Sequence, residues 1–235
     1  MRRTSLKPLL CLAVAITALA SATAQTPELQ QKVAEVKQAA AENKEALSHY
    51  SWQQQQTTAI KGNVKDTKLF QAHLSPGGQT EKVELQNTPT SSGDSGGRLK
   101  HRIVEKKKEE YQEYGKQIAA LSQQYAQPDP ARIQQAFQQG NLTLGPAGVP
   151  GQVKILIRGY VKPNDQVTLL FDRQAKAIKS FQVATYLDDP TDVVNIGAQF
   201  SQLPDGTNHV ATMQLNGVKK ELLITMENSN YQKIM

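Results

Sequence analysis

Cysteine is all but missing from this chain. Cys11 is the single one, and it lies inside an N-terminal apolar run. Beyond it no disulfide scaffold, thiol nucleophile or cysteine-based zinc site can form. Long apolar runs are equally scarce. The twelve residues LLCLAVAITALA are too few to span a bilayer, and no later stretch replaces them. A large excess of one charge is missing too: the chain carries 27 basic and 21 acidic residues. Arg2, Arg3 and Lys7 precede residue 25, so 24 basic residues face all 21 acidic ones beyond it, a net charge of +3. That balance argues against a nucleic-acid partner. The four histidines, His49, His73, His101 and His209, are scattered with no metal-ligand spacing between them. LDDPTD (Asp188, Asp189, Asp192) lacks the glycine and distal glutamate of a calcium loop. GPAGVPG lacks the lysine and following helix of a phosphate loop. No cofactor and no metal are expected.

What is present organises the chain. Residues 1–24 have the three parts of a secretory signal peptide: basic start, apolar core, and small residues at Ala22 and Ala24. Cleavage is expected between Ala24 and Gln25, giving an exported protein of the periplasm or extracellular space without a lipid on Cys11. The remaining 211 residues suffice for one domain held by an ordinary core. Leu29, Val33, Val36, Ala40 and Leu47 recur at helical spacing over 28–49. Short extended runs follow from YSWQQQQTTAIKG to KVEL, with PGG (76–78) as a hairpin turn. QNTPTSSGDSGG, residues 86–97, has the composition of a flexible linker.

A helical insertion is expected over about 98–140. Val104, Tyr111, Tyr114, Ile118, Leu121 and Tyr125 form one stripe, and Asp129-Pro130 caps a short second helix that Gly140 closes. From QVKILIRGYV onward seven strand candidates alternate with KPND, DRQA, DDPTD, PDGT, NG and NSN, and Asn216-Gly217 is the strongest hairpin signal. Short polar turns between successive strands make an antiparallel meander. The fold class is therefore α+β: one curved antiparallel sheet of nine to eleven strands, a half-barrel-like meander packed on N-terminal and central helices.

Gly93-Asp94-Ser95-Gly96-Gly97 copies the pentapeptide around the nucleophile of chymotrypsin-like proteases. A nucleophilic serine needs a histidine base and a carboxylate that orients it. Only 70 residues separate Gln25 from Ser95, beginning with a helix, which leaves no room for that family's first barrel. His73 also lacks the family's flanking residues. Ser95 is read as linker, and the protein as no enzyme.

Arg98, Lys100, Arg102, Lys106, Lys107 and Lys108 crowd the start of a helix, against its dipole. Lys107 falls on the apolar stripe and must snorkel. Arg98, Arg102, Lys106 and Lys108 form a candidate patch for an anionic envelope surface, beside the plainer reading of a solvated face. Trp52, Phe70, Tyr160 and Phe171 are the candidate lining of an apolar cavity.

The N-terminal helix running into LSHYSWQQQQTTAIKG, the helical insertion and the closing strands through ENSNYQKIM resemble the periplasmic lipoprotein-carrier superfamily. GRLKHRIVEKKKEEYQEY and TYLDDPTDVVNIGAQFSQLPDGT are similar to a family of uncharacterised secreted bacterial proteins. The carrier resemblance implies a sheet closed by helices around an apolar space for acyl chains. The expected function is thus non-catalytic binding, with lipid or lipoprotein as partner. An envelope interaction protein with a solid core is the alternative, and a hydrolase the third choice.

Overall fold

The computed structural model describes residues 25–89, 98–126 and 129–234. The expected signal peptide, including Ala24, and the GDSGG stretch with Ser95 lie outside the described residues. By its contacts the chain divides into two units, residues 1–38 and 39–235. The sheet belongs to the second. Helix α1 (Gln25–Ser48) leads into strands β1 (Tyr50–Ile60), β2 (Asn63–Leu74) and β3 (Thr80–Pro89). Helices α2 (Arg98–Ala126) and α3 (Pro130–Gln138) follow. The chain then runs through β4 (Leu142–Pro146), β5 (Gln152–Arg158), β6 (Gln166–Asp172), β7 (Ala177–Tyr186), β8 (Val193–Gln202), β9 (Asn208–Gly217) and β10 (Leu222–Lys233).

All ten strands join one open, curved antiparallel sheet in the order β3-β2-β1-β10-β9-β8-β7-β6-β5-β4. Two meanders meet where the first strand pairs with the last, Thr58 opposite Ile224. Both edges are blunted. The β3 edge is exposed along its whole length, carries Glu81, Lys82 and Glu84, and ends at Pro89; β4 is only five residues long.

The turns are chemical choices of the sequence. Lys61 (φ 52°) and Gly62 (φ 73°) both occupy the left-handed region, the signature of a tight two-residue hairpin between β1 and β2. Asp129 caps α3 as its spacing implied: Oδ1 accepts from Ala131 N at 2.9 Å, with Pro130 in the first turn.

Four local readings differ from the structure. Asn216-Gly217 is not the turn itself. Both residues stay in β9, and the chain reverses over Val218–Lys220 and a left-handed Glu221. NSN separates no strands: KKELLITM and YQKI belong to one strand, β10, and Asn230 (φ 53°) sits in a bulge where the register slips between Ser51 and Gln53. Gln86–Pro89, grouped with the linker by composition, stand in β3 opposite Asp66–Leu69. Leu142–Pro146 forms an edge strand that proline and glycine content concealed.

The sheet is one-sided. Ile157, Val167, Val183, Ile196, Leu215 and Ile224 lie directly opposite one another across six strands, and the first five are at most 4 % exposed. This row is the core. One residue along each strand, Thr168, Gln182, Gly197, Gln214, Thr225 and Thr57 form a row on the other face. That polar face lines an open concavity of about 290 Å3.

Candidate functional site

The helix-side face is built by α2. Tyr114, Ile118, Leu121 and Tyr125 are all buried, as the stripe required. Gly217 lets the helix come close: a Cβ there would lie 2.5 Å from Ile118 Cδ1 and from Tyr114 Cε1. Gly115 on the helix is different: a Cβ there would meet methyls of Leu222 and Ile224 at an ordinary 3.6 and 3.7 Å, so the close approach rests on Gly217. The stripe continues to Val104 in sequence, but its buried part does not, since Val104 is 47 % exposed.

Two tyrosines of α2 reach aspartates in turns. The Tyr114 hydroxyl donates to Asp192 Oδ1 at 2.6 Å. The Tyr125 hydroxyl donates to Asp165 Oδ2 at 2.7 Å and meets Thr185 Oγ1 at 2.8 Å. Burial first, and the neighbouring carboxylate after it, push the Tyr114 phenol far above its ordinary value. Burial is also the main cause of the rise at Tyr125. Asp165, 1 % exposed, accepts three backbone N–H groups besides: Tyr160 at 2.6 Å, Val161 at 2.8 Å and Lys162 at 2.8 Å. KPND is thus a knot around one saturated carboxylate. A third pair, Tyr50 to Asp205 at 2.5 Å, holds the β8–β9 turn. Near α1, Asn43 clasps the backbone of Asn208 in both directions, donating at 2.7 Å and accepting at 2.5 Å.

Two residues along from the core row, on the same face, a second apolar row runs Ile155, Leu169, Phe181, Ala198, Met213 and Met226. Of these only Ala198 is buried; the other five are half-exposed. Toward β1 and β2 the row turns polar at Gln56 and Lys68. Residue-by-residue reading missed this row because all five half-exposed residues look like ordinary core in a strand pattern. The signal was the paired methionines, which suit an adaptable surface.

The four candidate cavity aromatics fall into separate environments. Trp52 is 4 % exposed and stacks on Tyr231, centroids 5.5 Å apart. Its indole N–H has no acceptor among the described residues. Phe70 shares its face one strand away, with Lys82 Nζ 4.4 Å from its ring. Tyr160 belongs to the KPND knot, where its hydroxyl accepts from Asp129 N at 2.7 Å. Phe171 is buried in β6. None of the four lines either of the two open concavities.

Of the basic patch, Arg102, Lys106 and Lys108 are exposed on α2, and the Arg98 side chain lies outside the described residues. Lys107 does more than snorkel. With Lys61, Glu110, Tyr111, Lys219, Lys220 and Glu221 it lines a second open cleft of about 260 Å3. Three of the four histidines have separate partners: His73 faces Glu81 at 3.5 Å, His49 faces Glu45 at 3.9 Å, and buried His209 packs on Tyr231; the His101 side chain lies outside the described residues. Asp189 closes its own turn on Thr191 N and Oγ1, both at 2.8 Å. Among the described residues no three His, Cys, Asp or Glu side chains gather as a metal would require. No helix among them is long and apolar enough to cross a membrane.

No protein-family model matches the chain, and no curated protein matches it. Two solved structures are similar in fold. One is a DUF1329 family protein from Desulfovibrio piger, 12 % identical, with a TM-score of 0.41 over 85 % of this chain and 92 % of that one. The other is a LolA superfamily protein from Nitrosomonas europaea, 8 % identical, with a TM-score of 0.38 over 85 % of this chain and 94 % of that one. At this distance neither transfers a ligand or a residue role.

Proposed function

We propose that the protein is a non-catalytic, exported binding protein whose ligand is an acyl chain of a lipid or lipoprotein. The observation that carries this reading is the half-exposed row Ile155, Leu169, Phe181, Met213 and Met226, an apolar strip beside the buried core row. An extended hydrocarbon chain has the shape and chemistry to lie across such strands. Polar Gln56 and Lys68 at the strip's end would face a ligand's polar head.

Titration with a fluorescent fatty acid such as cis-parinaric acid tests it. Half-covered Leu and Met side chains contribute about half of the ~1.5–3 kcal/mol of full burial, so Leu169→Asn/Met213→Asn should weaken binding roughly ten- to a hundredfold. Thr168→Asn on the polar face should leave affinity unchanged. The envelope-scaffold reading has one observation in its favour: no residue of the row lines either concavity. It expects no saturable binding by the wild type, and that result would reject the carrier reading.

A further inference from the structure

The end of the molecule at the β1–β2 and β9–β10 turns brings together cations that are far apart in sequence. Lys61 comes from the first turn, Lys219 and Lys220 from the second, and Lys107 from α2; all four line one cleft of about 260 Å3. Two carboxylates, Glu110 and Glu221, share it, so the lining keeps a net positive charge. Glu110 is held by Lys220 at 2.6 Å, and this contact keeps its carboxyl below the usual range. Outside the lining, Asp192 Oδ2 lies 3.8 Å from Lys219, while its other oxygen, Oδ1, accepts from Tyr114. Lys61 and Lys107 form no ion pair among the described residues. Lys106, Lys108 and Arg102 extend the positive charge along the exposed part of α2.

Apolar side chains protrude at the same end. Val218 beside Lys219 is 47 % exposed, and Val64 beside the β1–β2 turn is 44 % exposed. On α2, Ile103 and Val104 lie four and three residues before Lys107, on its side of the helix, and are 58 % and 47 % exposed. At about 1.5 Å per residue they stand roughly 5 Å further out than Lys107. The apolar stripe of α2 therefore runs on past the sheet with nothing beneath it among the described residues. Scattered apolar residues on a surface are ordinary. Here four branched aliphatic side chains project from three elements around a ring of lysines. That combination fits a bilayer interface, where aliphatic tips enter the headgroup layer and lysines meet acidic lipid.

We infer that this end of the protein is a docking face for an anionic bilayer, formed by Lys61, Lys107, Lys219 and Lys220 with Val218 and the Ile103–Val104 stripe. The inference is independent of the acyl-chain reading: it concerns headgroup charge, and it would stand if the strip bound nothing.

Co-sedimentation of the full chain with phosphatidylcholine vesicles, with and without phosphatidylglycerol, tests it at low and high salt. Wild type should bind the acidic vesicles at low salt, bind neutral ones far less, and be released by salt. Lys61→Gln/Lys107→Gln/Lys219→Gln should weaken binding by roughly a hundredfold. Val218→Ser alters no ion pair and should also weaken it several-fold. Thermal melts of both variants, matching wild type, show that the fold is intact. Equal binding to neutral vesicles, variants that bind as wild type, or complete release by millimolar glycerol phosphate would overturn the inference. The last outcome would mark the cleft as a site for a small anion.

Discussion

Replacing Gly217 by alanine isolates the packing of α2 on the sheet. Gly217 has φ −90° and ψ 99°, a conformation alanine adopts freely, so no backbone strain enters. Taken alone, the substitution would stabilise the protein by about 0.4–1 kcal/mol, because alanine stiffens the unfolded chain. The new methyl group, however, would stand 2.5 Å from Ile118 Cδ1, 2.5 Å from Tyr114 Cε1 and 2.8 Å from the Tyr114 hydroxyl. Tyr114 cannot swing aside without breaking its 2.6 Å bond to Asp192. Overpacking of this kind costs about 1–3 kcal/mol. The net expectation is a loss of roughly 0.5–2.5 kcal/mol, or a melting point lower by roughly 1–10 °C. Gly197 supplies the control: its surroundings are empty within 4 Å and its φ is not positive, so Gly197→Ala should gain about 0.4–1 kcal/mol. Urea titrations followed by the fluorescence of Trp52, the one tryptophan, report both. Ile118→Val removes the clashing methyl and should cost less in the Gly217→Ala background than alone, with a coupling of at least about 0.5 kcal/mol. If Gly217→Ala equals or exceeds wild type in stability and is additive with Ile118→Val, the close approach of helix and strand is wrong.

Asp165→Asn turns an amide donor toward one set of the four donors that converge on the carboxylate, and should cost roughly 2–4 kcal/mol in a urea titration; a change under about 0.5 kcal/mol would contradict the knot. The Tyr50 hydroxyl, followed by Thr207, holds the Asp205 carboxyl well below its ordinary 3.8. Its contribution is therefore present above that value and lost as pH falls below it, so the stability gap between wild type and Asp205→Asn should be flat above about pH 5 and narrow below about pH 4. Thermal melts across that range check the sign. The mature N-terminus should be Gln25 with no lipid attached, by sequencing of the exported protein; a start at Met1, or an acylated Cys11, would refute the localisation. Fluorophosphonate probes should not label Ser95, and labelling lost in Ser95→Ala would refute the non-catalytic reading.

The fold was legible wherever one residue type dictated one geometry. Alternation gave the strands of the second meander, Asp129-Pro130 the start of α3, and the part of the stripe from Tyr114 to Tyr125 the buried face of α2. The misreadings share a cause: local chemistry that tertiary contacts reassign. Asn216-Gly217 looks like a turn because both residues tolerate positive φ, yet Gly217 is needed for the room its missing side chain leaves beneath Tyr114. NSN looks like a turn for the same reason and serves as a bulge. The candidate site was less legible. Trp52, Phe70, Tyr160 and Phe171 were grouped as aromatics, but whether apolar residues line an opening depends on what covers them. Leu169 and Val167 are indistinguishable by type, yet one is half-exposed and the other buried, and neither residue foretells the path of α2.

That path is fixed by polar contacts at both ends of the buried stretch. Tyr114 and Tyr125 stand eleven residues apart on α2, about 16 Å along its axis. The first is tied to Asp192 before β8, the second to Asp165 before β6. Hydrophobic burial alone would favour a helix that slid or tilted toward the second row, since every half-exposed side chain it covered would contribute about 1 kcal/mol or more. Directional bonds to two turn aspartates oppose that movement, because sliding would leave a buried carboxylate and a buried phenol without their partners, at about 1–3 kcal/mol each. The proposed acyl-binding strip is then maintained by the tyrosines rather than left by imperfect packing. Tyr125→Phe should therefore do more than lower stability. With the Asp165 tie gone, the C-terminal end of α2 is free to settle over Leu169 and Phe181, so fatty-acid affinity should fall although no residue of the strip has changed. Hydrogen exchange in β6 and β7 should slow in the same variant. Unchanged affinity together with unchanged exchange would show that the strip does not depend on the clamp.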